Sequence, residues 1–361
     1  MKNAILVACI TRSTGTSDGY KNIGDYIQSL AGVMFFDKID EYINRDKLDC
    51  YKSESGKIRM IMNAWYMHSP DNWPPSDDIF PLLISIHINP NAASRMLTLE
   101  GINYLTKYGP VGCRDKYTET LLNQHNIPCY FSGCLTLTLG EKYKTSHKEN
   151  HVLIVDPYFE YIRNAKGHLS VIIAIKSLFY GIIYYKKVKK LRNIFNHSDN
   201  FKKNKRMLQF LKVSAFYKTY SSYFDDNILL NAEYITHIVK VGNDSELFTE
   251  KAKINYAENL VCKYAEASLV ITSRIHCALP CIGLETPVIF ITNENGSIGE
   301  ENRLDGLVEL FNVMKYKNFC LTTDDNTICK KINMNTIPVN KKDYISIKDD
   351  LLKKCYEFAS K

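Results

Sequence analysis

Short apolar runs separated by amphipathic stretches set the tightest limit on how this chain folds. Ala4–Ile10, Ile58–Trp65, Ile79–Ile88, Pro128–Phe131 and Val152–Val155 are mostly apolar. Runs this short and this continuous read as strands buried on both faces. Between them, Ile23–Phe35, Ser94–Lys107 and Asp115–His125 carry apolar residues at helical spacing. The pattern returns after residue 220. Asn255–Ala267, Ile275–Leu284 and Arg303–Phe311 read as helices, and Ser268–Thr272 and Pro287–Ile291 as strands. Strands alternating with helices predict parallel sheets covered by helices on both faces. Ligands of such sheets bind beyond the carboxyl ends of the strands.

A chain of 361 residues is long for one core. The expected fold is α/β, with two Rossmann-like lobes around a central cleft and a basic helical insertion between them. The expected boundaries are 1–157 for the first lobe, 158–229 for the insertion or linker, and 230–361 for the second lobe. That last segment ends in a charged surface helix, Tyr344–Ala359. The N-terminal apolar run leads into Thr11, Arg12 and a Gly/Ser/Thr loop rather than a cleavage site, so it reads as a first strand and not a signal peptide. The eleven cysteines include no CxxC pair. They read as reduced core thiols, and no four-ligand zinc set can be assembled from them. No metal is expected.

The net charge of +7 is unevenly spread. Residues 158–219 carry fourteen Lys or Arg against Glu160 and Asp199, a balance of +12 that leaves −5 for the remainder. Within this segment, Leu169–Tyr185 is apolar apart from Lys176 and leads into KKVKKLR and FKKNKR. A spanning helix needs about 20 apolar residues, so this run is too short to cross a bilayer. Two readings stay open: an amphipathic basic helix resting on an anionic membrane through 169–206, or a helical hairpin packed on the second lobe with its basic face in water. No nucleic-acid recognition module accompanies the charge, and none is expected as a partner.

Three segments carry candidate chemistry. In SLVITSRIHCALPCIGLETPVIFI (268–291), a strand ends at Thr272 and a helix begins. Ser273 reads as the N-cap, and Arg274, Ile275 and His276 form the first turn. Free N–H groups, the helix dipole and the Arg274 fork all favour an anion there. His276 suits hydrogen bonding or general acid work. Pro280 cannot donate a backbone hydrogen bond one turn back, which predicts a kink near His276. In GPVGCRD (109–115), Arg114 ends a strand and Asp115 opens a helix. In GTSDGYKNIGDYIQSLAG (15–32), Gly15 and Gly19 supply a turn, and Asn22, Gly24 and Asp25 start a helix. A carboxylate there disfavours phosphate and suits sugar hydroxyls or general base work.

Taken in order, NIGDYIQSLA (22–31), GPVGCRD (109–115), YFSGCLTLTL (130–139) and YAEASLVITSRIHCALPCIGLETPVIFI (264–291) resemble the polysaccharide pyruvyl transferase family. The likeness covers most of 1–157 and 230–312. It implies a GT-B-like fold with phosphoenolpyruvate as donor and no other cofactor. Two hydroxyls of one sugar become bridged as a cyclic pyruvate ketal. The acceptor implied is a cell-surface polysaccharide or its lipid-linked precursor, met in the cytoplasm or at the inner face of the plasma membrane. Arg274, Ile275 and His276 match the donor-binding turn, with Ser273 beside them. Arg114 matches the arginine of a second anion-binding motif. Asn22, Gly24 and Asp25 match a loop on the acceptor side of the cleft. His276 is then the expected acid and Asp25 the expected base. Some members carry a further lysine beyond the motif histidine. Here TNENGSIGEENR (292–303) has none, and Arg303 is the nearest cation, expected to take its place. A nucleotide-sugar GT-B glycosyltransferase is the alternative, with Glu294 and Glu300 as carboxylates for a ribose. A membrane-docked assembly protein is a third possibility.

Overall fold

A computed structural model describes residues 1–7, 19–54, 56–66, 68–161, 168–197, 206–241, 247, 249–293, 302–324, 328 and 331–361. The loop from residue 8 to 18, with Cys9 and Gly15, lies outside the described residues, as do Glu294, Glu300 and Cys329.

The chain is mixed α/β with parallel sheets. Four parallel strands form the first, in the order Glu41–Asn44, Lys2–Val7, Ile58–Met62, Ile79–Leu83. Alternate residues serve opposite faces: Ile5, Val7 and Ile61 enter one core, and Ala4, Leu6, Met60 and Met62 another. That is the period-two rule for a strand covered on both sides. Val111–Cys113 and Cys129–Phe131 form a small parallel pair beside it, joined through the bridge of Ile86 to Cys113.

The second sheet has six strands, in the order Cys320–Thr322, Asn312–Lys317, Val288–Asn293, Leu269–Thr272, Val152–Val155, Glu233–Ile235. All neighbours are parallel except the hairpin of Asn312–Lys317 with Cys320–Thr322. Val152–Val155 therefore departs from the expected division of the chain. It pairs with Leu269–Thr272 and Glu233–Ile235 in the second sheet, not with the strands that precede it. An apolar four-residue strand fits the middle of any parallel sheet, so its own sequence cannot name its partners.

The basic segment forms three helices, His168–Ile183, Tyr185–His197 and Arg206–Tyr220. Their buried residues Ile173, Val188, Leu191, Phe195, Val213 and Phe216 meet Ile154, Ile271, Ile289 and Met314 on one face of the second sheet. The opposite face, with Leu153, Val155, Val270 and Val288, packs into the core shared with the first lobe. Each fully buried Leu, Val or Phe here is worth about 2 kcal/mol relative to exposure.

Two further connections tie the halves together. Tyr20–Asn22 pairs antiparallel with Ile238–Lys240. The helix Tyr344–Ala359 returns to the first sheet, where Phe358 stacks on Phe80 and the Ala359 carbonyl accepts from Arg59 Nη1 at 2.7 Å. Its buried stripe is Tyr344, Leu351, Cys355 and Phe358, with its charges outward.

Other expected elements shift. Ser94–Lys107 is two helices, Pro90–Met96 and Leu99–Lys107, because Thr98 caps the second through its hydroxyl. The expected helix Arg303–Phe311 is a series of turns with a short 3-10 segment, Val308–Leu310, since Gly306 adopts φ +78°. The described cysteines are all free thiols, and Cys113, Cys134, Cys277, Cys281 and Cys355 are buried.

Candidate functional site

The strand Leu269–Thr272 delivers the turn at 273–276 to the carboxyl end of the second sheet. The expected cap is displaced by one residue. Ser273 Oγ accepts from Tyr158 N at 2.7 Å, so it is occupied by the exit of the neighbouring strand. Arg274 is the N-cap residue by backbone conformation, and no side chain caps the helix Ile275–Gly283. Its first N–H groups thus remain available to an anion. His276 has φ −81° and ψ 16°, outside helical values. The kink expected from Pro280 is therefore present, at the residue whose carbonyl the proline cannot serve.

A cavity of about 630 Å³ opens at this turn. That size suits a small anion together with part of a sugar. It brings together Asn22, Gly24, Ser273, Arg274, Ile275, His276 and Arg303 from the sequence candidates. It also collects residues the sequence reading missed: Tyr158, His237, Asn293, Asn302, Asp305, Glu309 and Lys315. Tyr158, His237, Asn293 and Lys315 come from distant parts of the chain, whereas Asn302, Asp305 and Glu309 share one segment of turns with Arg303.

The start of the helix Gly24–Val33 meets the start of Ile275–Gly283 in this cavity. A Cβ at Gly24 would lie 3.1 Å from His237 Nδ1, 3.2 Å from Asn22 Oδ1 and 3.4 Å from His276 Cβ. Glycine is what allows the close approach. Neither helix has a side-chain cap, so two positive dipole ends converge.

Cationic groups surround His276. Burial pushes its pKa well below the ordinary value, and the charges of Arg114, Arg303, His237 and Arg45 add to the shift. Its Nε2 is buried with no hydrogen-bond partner among the described residues. His237 sits beside it, with Nε2 2.7 Å from the Tyr264 hydroxyl and Nδ1 unpartnered. Arg274 Nε donates to Asp156 Oδ2 at 2.8 Å, and the same oxygen accepts from His237 N at 2.9 Å. Burial alone would raise the Asp156 pKa, but Arg274 and His237 overcome it and leave the carboxyl below its ordinary value. Arg303 lies over the Trp65 ring, 5.3 Å from its centroid.

Arg114 is buried outright and is not part of the cavity lining. Its Nε stands 3.5 Å from Asp115 Oδ2, and its Nη2 is unpartnered among the described residues. Asp115 does cap the helix Lys116–Gln124, accepting from Thr118 N at 2.9 Å. Its other oxygen lies 2.6 Å from His87 Nδ1. Burial, with Arg114 and against the pull of Asp115, holds the His87 pKa down to about 4. Buried polar atoms without partners are uncommon in native interiors.

Asp25 stands apart. Its Oδ2 accepts from Arg45 Nη2 at 3.4 Å. It lines a narrow crevice with Gln28, Arg45 and Asn63, not the cavity at the turn. Among the described residues, no three His, Cys, Asp or Glu side chains gather as a metal site.

The segment 130–139 acts from below. Leu135, Leu137 and Leu139 are buried, and Gly140 and Gly283 let the backbones of 137–140 and 283 touch directly. This fixes the helix Ile275–Gly283.

The family model for polysaccharide pyruvyl transferases matches residues 22–295, three quarters of the chain; the match takes in Asn22, Gly24, Arg114, His237 and the turn at 273–276, and stops before Arg303, Asp305, Glu309 and Lys315. The chain belongs to the polysaccharide pyruvyl transferase family. Membership makes it a transferase that acts on polysaccharide. No curated protein and no solved structure matches it.

Proposed function

We propose that this family member transfers the pyruvyl group of phosphoenolpyruvate to two hydroxyls of one sugar and releases phosphate. The observation that carries the reading is the cation-lined cavity at the paired helix starts, with His276 Nε2 and His237 Nδ1 buried beside it and without hydrogen-bond partners among the described residues. Phosphoenolpyruvate brings a carboxylate and a phosphate to a cavity whose wall carries Arg274, Arg303 and Lys315. Arg274 and Arg303 meet it from the cavity wall, and the N–H groups at 275–276 bind one anionic group. Arg114 adds its charge from beneath. The two arginines and the helix starts are assigned the charge neutralisation.

His276 is neutral while the cavity is empty, because burial and the neighbouring cations disfavour its charged form. A bound trianion reverses the sign of the surrounding potential and raises that pKa. The imidazolium then delivers its proton to the enol methylene carbon. One sugar oxygen attacks the resulting cation at the central carbon. Loss of phosphate lets the second oxygen close the ketal. One hydroxyl proton ends in the methyl group, by way of the imidazole, and the other leaves with phosphate. Asp305 and Glu309 line the cavity and are the carboxylates we assign to taking the sugar protons. Asp25, held by Arg45, is assigned to the acceptor side with Asn22 and Gly24.

The two lobes enclosing this cleft fit a GT-B-like arrangement. The acceptor is a sugar of a cell-surface polysaccharide or of its lipid-linked precursor, used on the cytoplasmic side. The test is incubation with phosphoenolpyruvate and the surface glycan. The reading expects phosphate release together with a pyruvate unit on the glycan by mass spectrometry. It fails if neither appears, or if nucleotide sugars stabilise the protein against heat and phosphoenolpyruvate does not.

A further inference from the structure

The helix His168–Ile183 is built inside out. Its inward side presents Ile173, Ser177 and Gly181. At Gly181 a Cβ would lie 2.5 Å from the Phe210 ring, so the helix is pressed against Arg206–Tyr220 by its smallest residue. Its larger apolar residues point outward. Val171, Ile172, Ile175, Leu178, Phe179, Ile182 and Ile183 are 39–66% exposed. They recur at i, i+1, i+4, i+7, i+8, i+11 and i+12, which is one continuous stripe of a helix. Scattered exposed apolar residues need no explanation, but a stripe of this length does.

We infer that this stripe lies in the interface of an anionic phospholipid membrane. Charge decides between the occupants. The stripe ends in the exposed Tyr185 and Lys186, followed by exposed Lys189 and Lys190, and Lys176 stands exposed at its edge. The segment 158–219 has a balance of +12. Residues 168–197 contain no Asp or Glu, so the same face of a second copy offers these lysines no counter-charge, whereas anionic headgroups neutralise them. Among the described residues, no helix is long and apolar enough to cross a membrane. The helix therefore lies in the membrane plane, with its stripe below the headgroups and its lysines among them.

The same helical layer reaches the donor turn. A second cavity, of about 340 Å³, shares Tyr158, Ser273 and Arg274 with the first and is walled by Phe195, Lys212 and Tyr234. Docking through the stripe thus holds the transferase against the surface where a lipid-linked sugar is found. Vesicle binding is read without donor or acceptor, so it stands or falls apart from the ketal chemistry.

The test is sedimentation of the full chain with vesicles of phosphatidylcholine and phosphatidylglycerol in equal parts, and with phosphatidylcholine alone. Pelleting is expected with the first, weakening as salt rises. Phe179→Asp should lower the partition about thirty-fold, the equivalent of one buried apolar side chain. Lys186→Gln should lower it about five-fold. Both side chains are exposed, so melting temperatures should match the parent. The inference is overturned if neither vesicle pellets the protein, if the two vesicles pellet it equally, or if Phe179→Asp changes nothing. It is also overturned if light scattering finds a dimer that Phe179→Asp splits, which would give the stripe to a second copy.

Discussion

The turn at 273–276 and the helix His168–Ile183 break the ordinary partition of side chains in opposite directions. Around the turn the chain buries ionisable groups: Arg114, Asp115, His87 and His276 are all nearly or wholly shut from water. Along the helix it exposes large apolar groups. Each arrangement costs stability if left without a partner, the first through desolvation and the second through hydration of apolar surface. Both lie on the same parallel sheet, one at its carboxyl edge and one over its face. The difference motivates both proposals: an anion for the first and a lipid surface for the second.

The comparison is broken most sharply by Asp115→Ala. This change leaves Arg114 and His87 buried without their carboxylate and removes the cap of Lys116–Gln124. It should cost about 3–5 kcal/mol in denaturant unfolding. A loss of a few tenths would mean that the buried charges are not coupled.

The next effect is a pH dependence. His87 is held to about 4 when folded, against 6.5 as its ordinary value. The unfolded chain takes up that proton first as pH falls. The folded state is therefore penalised progressively from pH 6.5 down to 4, by about 3 kcal/mol in all, and carries no such penalty above that window. His276 adds in the same direction. His87→Gln should flatten the fall in melting temperature across this range, and an unchanged slope would contradict the assignment.

His276→Ala should lower turnover by about 10²-fold or more. A ten-fold or smaller loss with a raised donor KM would instead make the imidazole a binder. The smallest effect belongs to the other region. Phe179→Ser should change stability by no more than about 0.5 kcal/mol in chemical denaturation. A larger cost would show that the stripe packs on protein after all.

Much of the carboxyl edge around the turn at 273–276 was legible because one continuous segment writes it. Strand, turn and kinked helix follow from Leu269–Thr272, Arg274–His276 and Pro280 alone. The cap was read one residue early, since the hydrogen bond that occupies Ser273 comes from Tyr158, more than a hundred positions away. His237 and Lys315 were missed for the same reason: the sheet order, not local spacing, brings them in. Sheet membership of Val152–Val155 was likewise invisible, because a buried strand carries no mark of its neighbours. The basic helices offered two readings, packed or membrane-facing. The inward face of Ile173, Val188 and Phe195 meets the first, and the outward stripe supports the second. Asp25 was read as the base at a helix start facing the cleft, yet Arg45 holds it in a separate crevice.

The central claim is that the neutral, unpartnered imidazole of residue 276 marks a seat for a three-carbon phosphorylated acid. Calorimetric titration of phosphoenolpyruvate near pH 7, repeated in buffers of different ionisation enthalpy, reads this directly. The account predicts binding accompanied by proton uptake, with the uptake reduced in His276→Ala. Absence of binding, or binding with no proton exchange in any buffer, would contradict it.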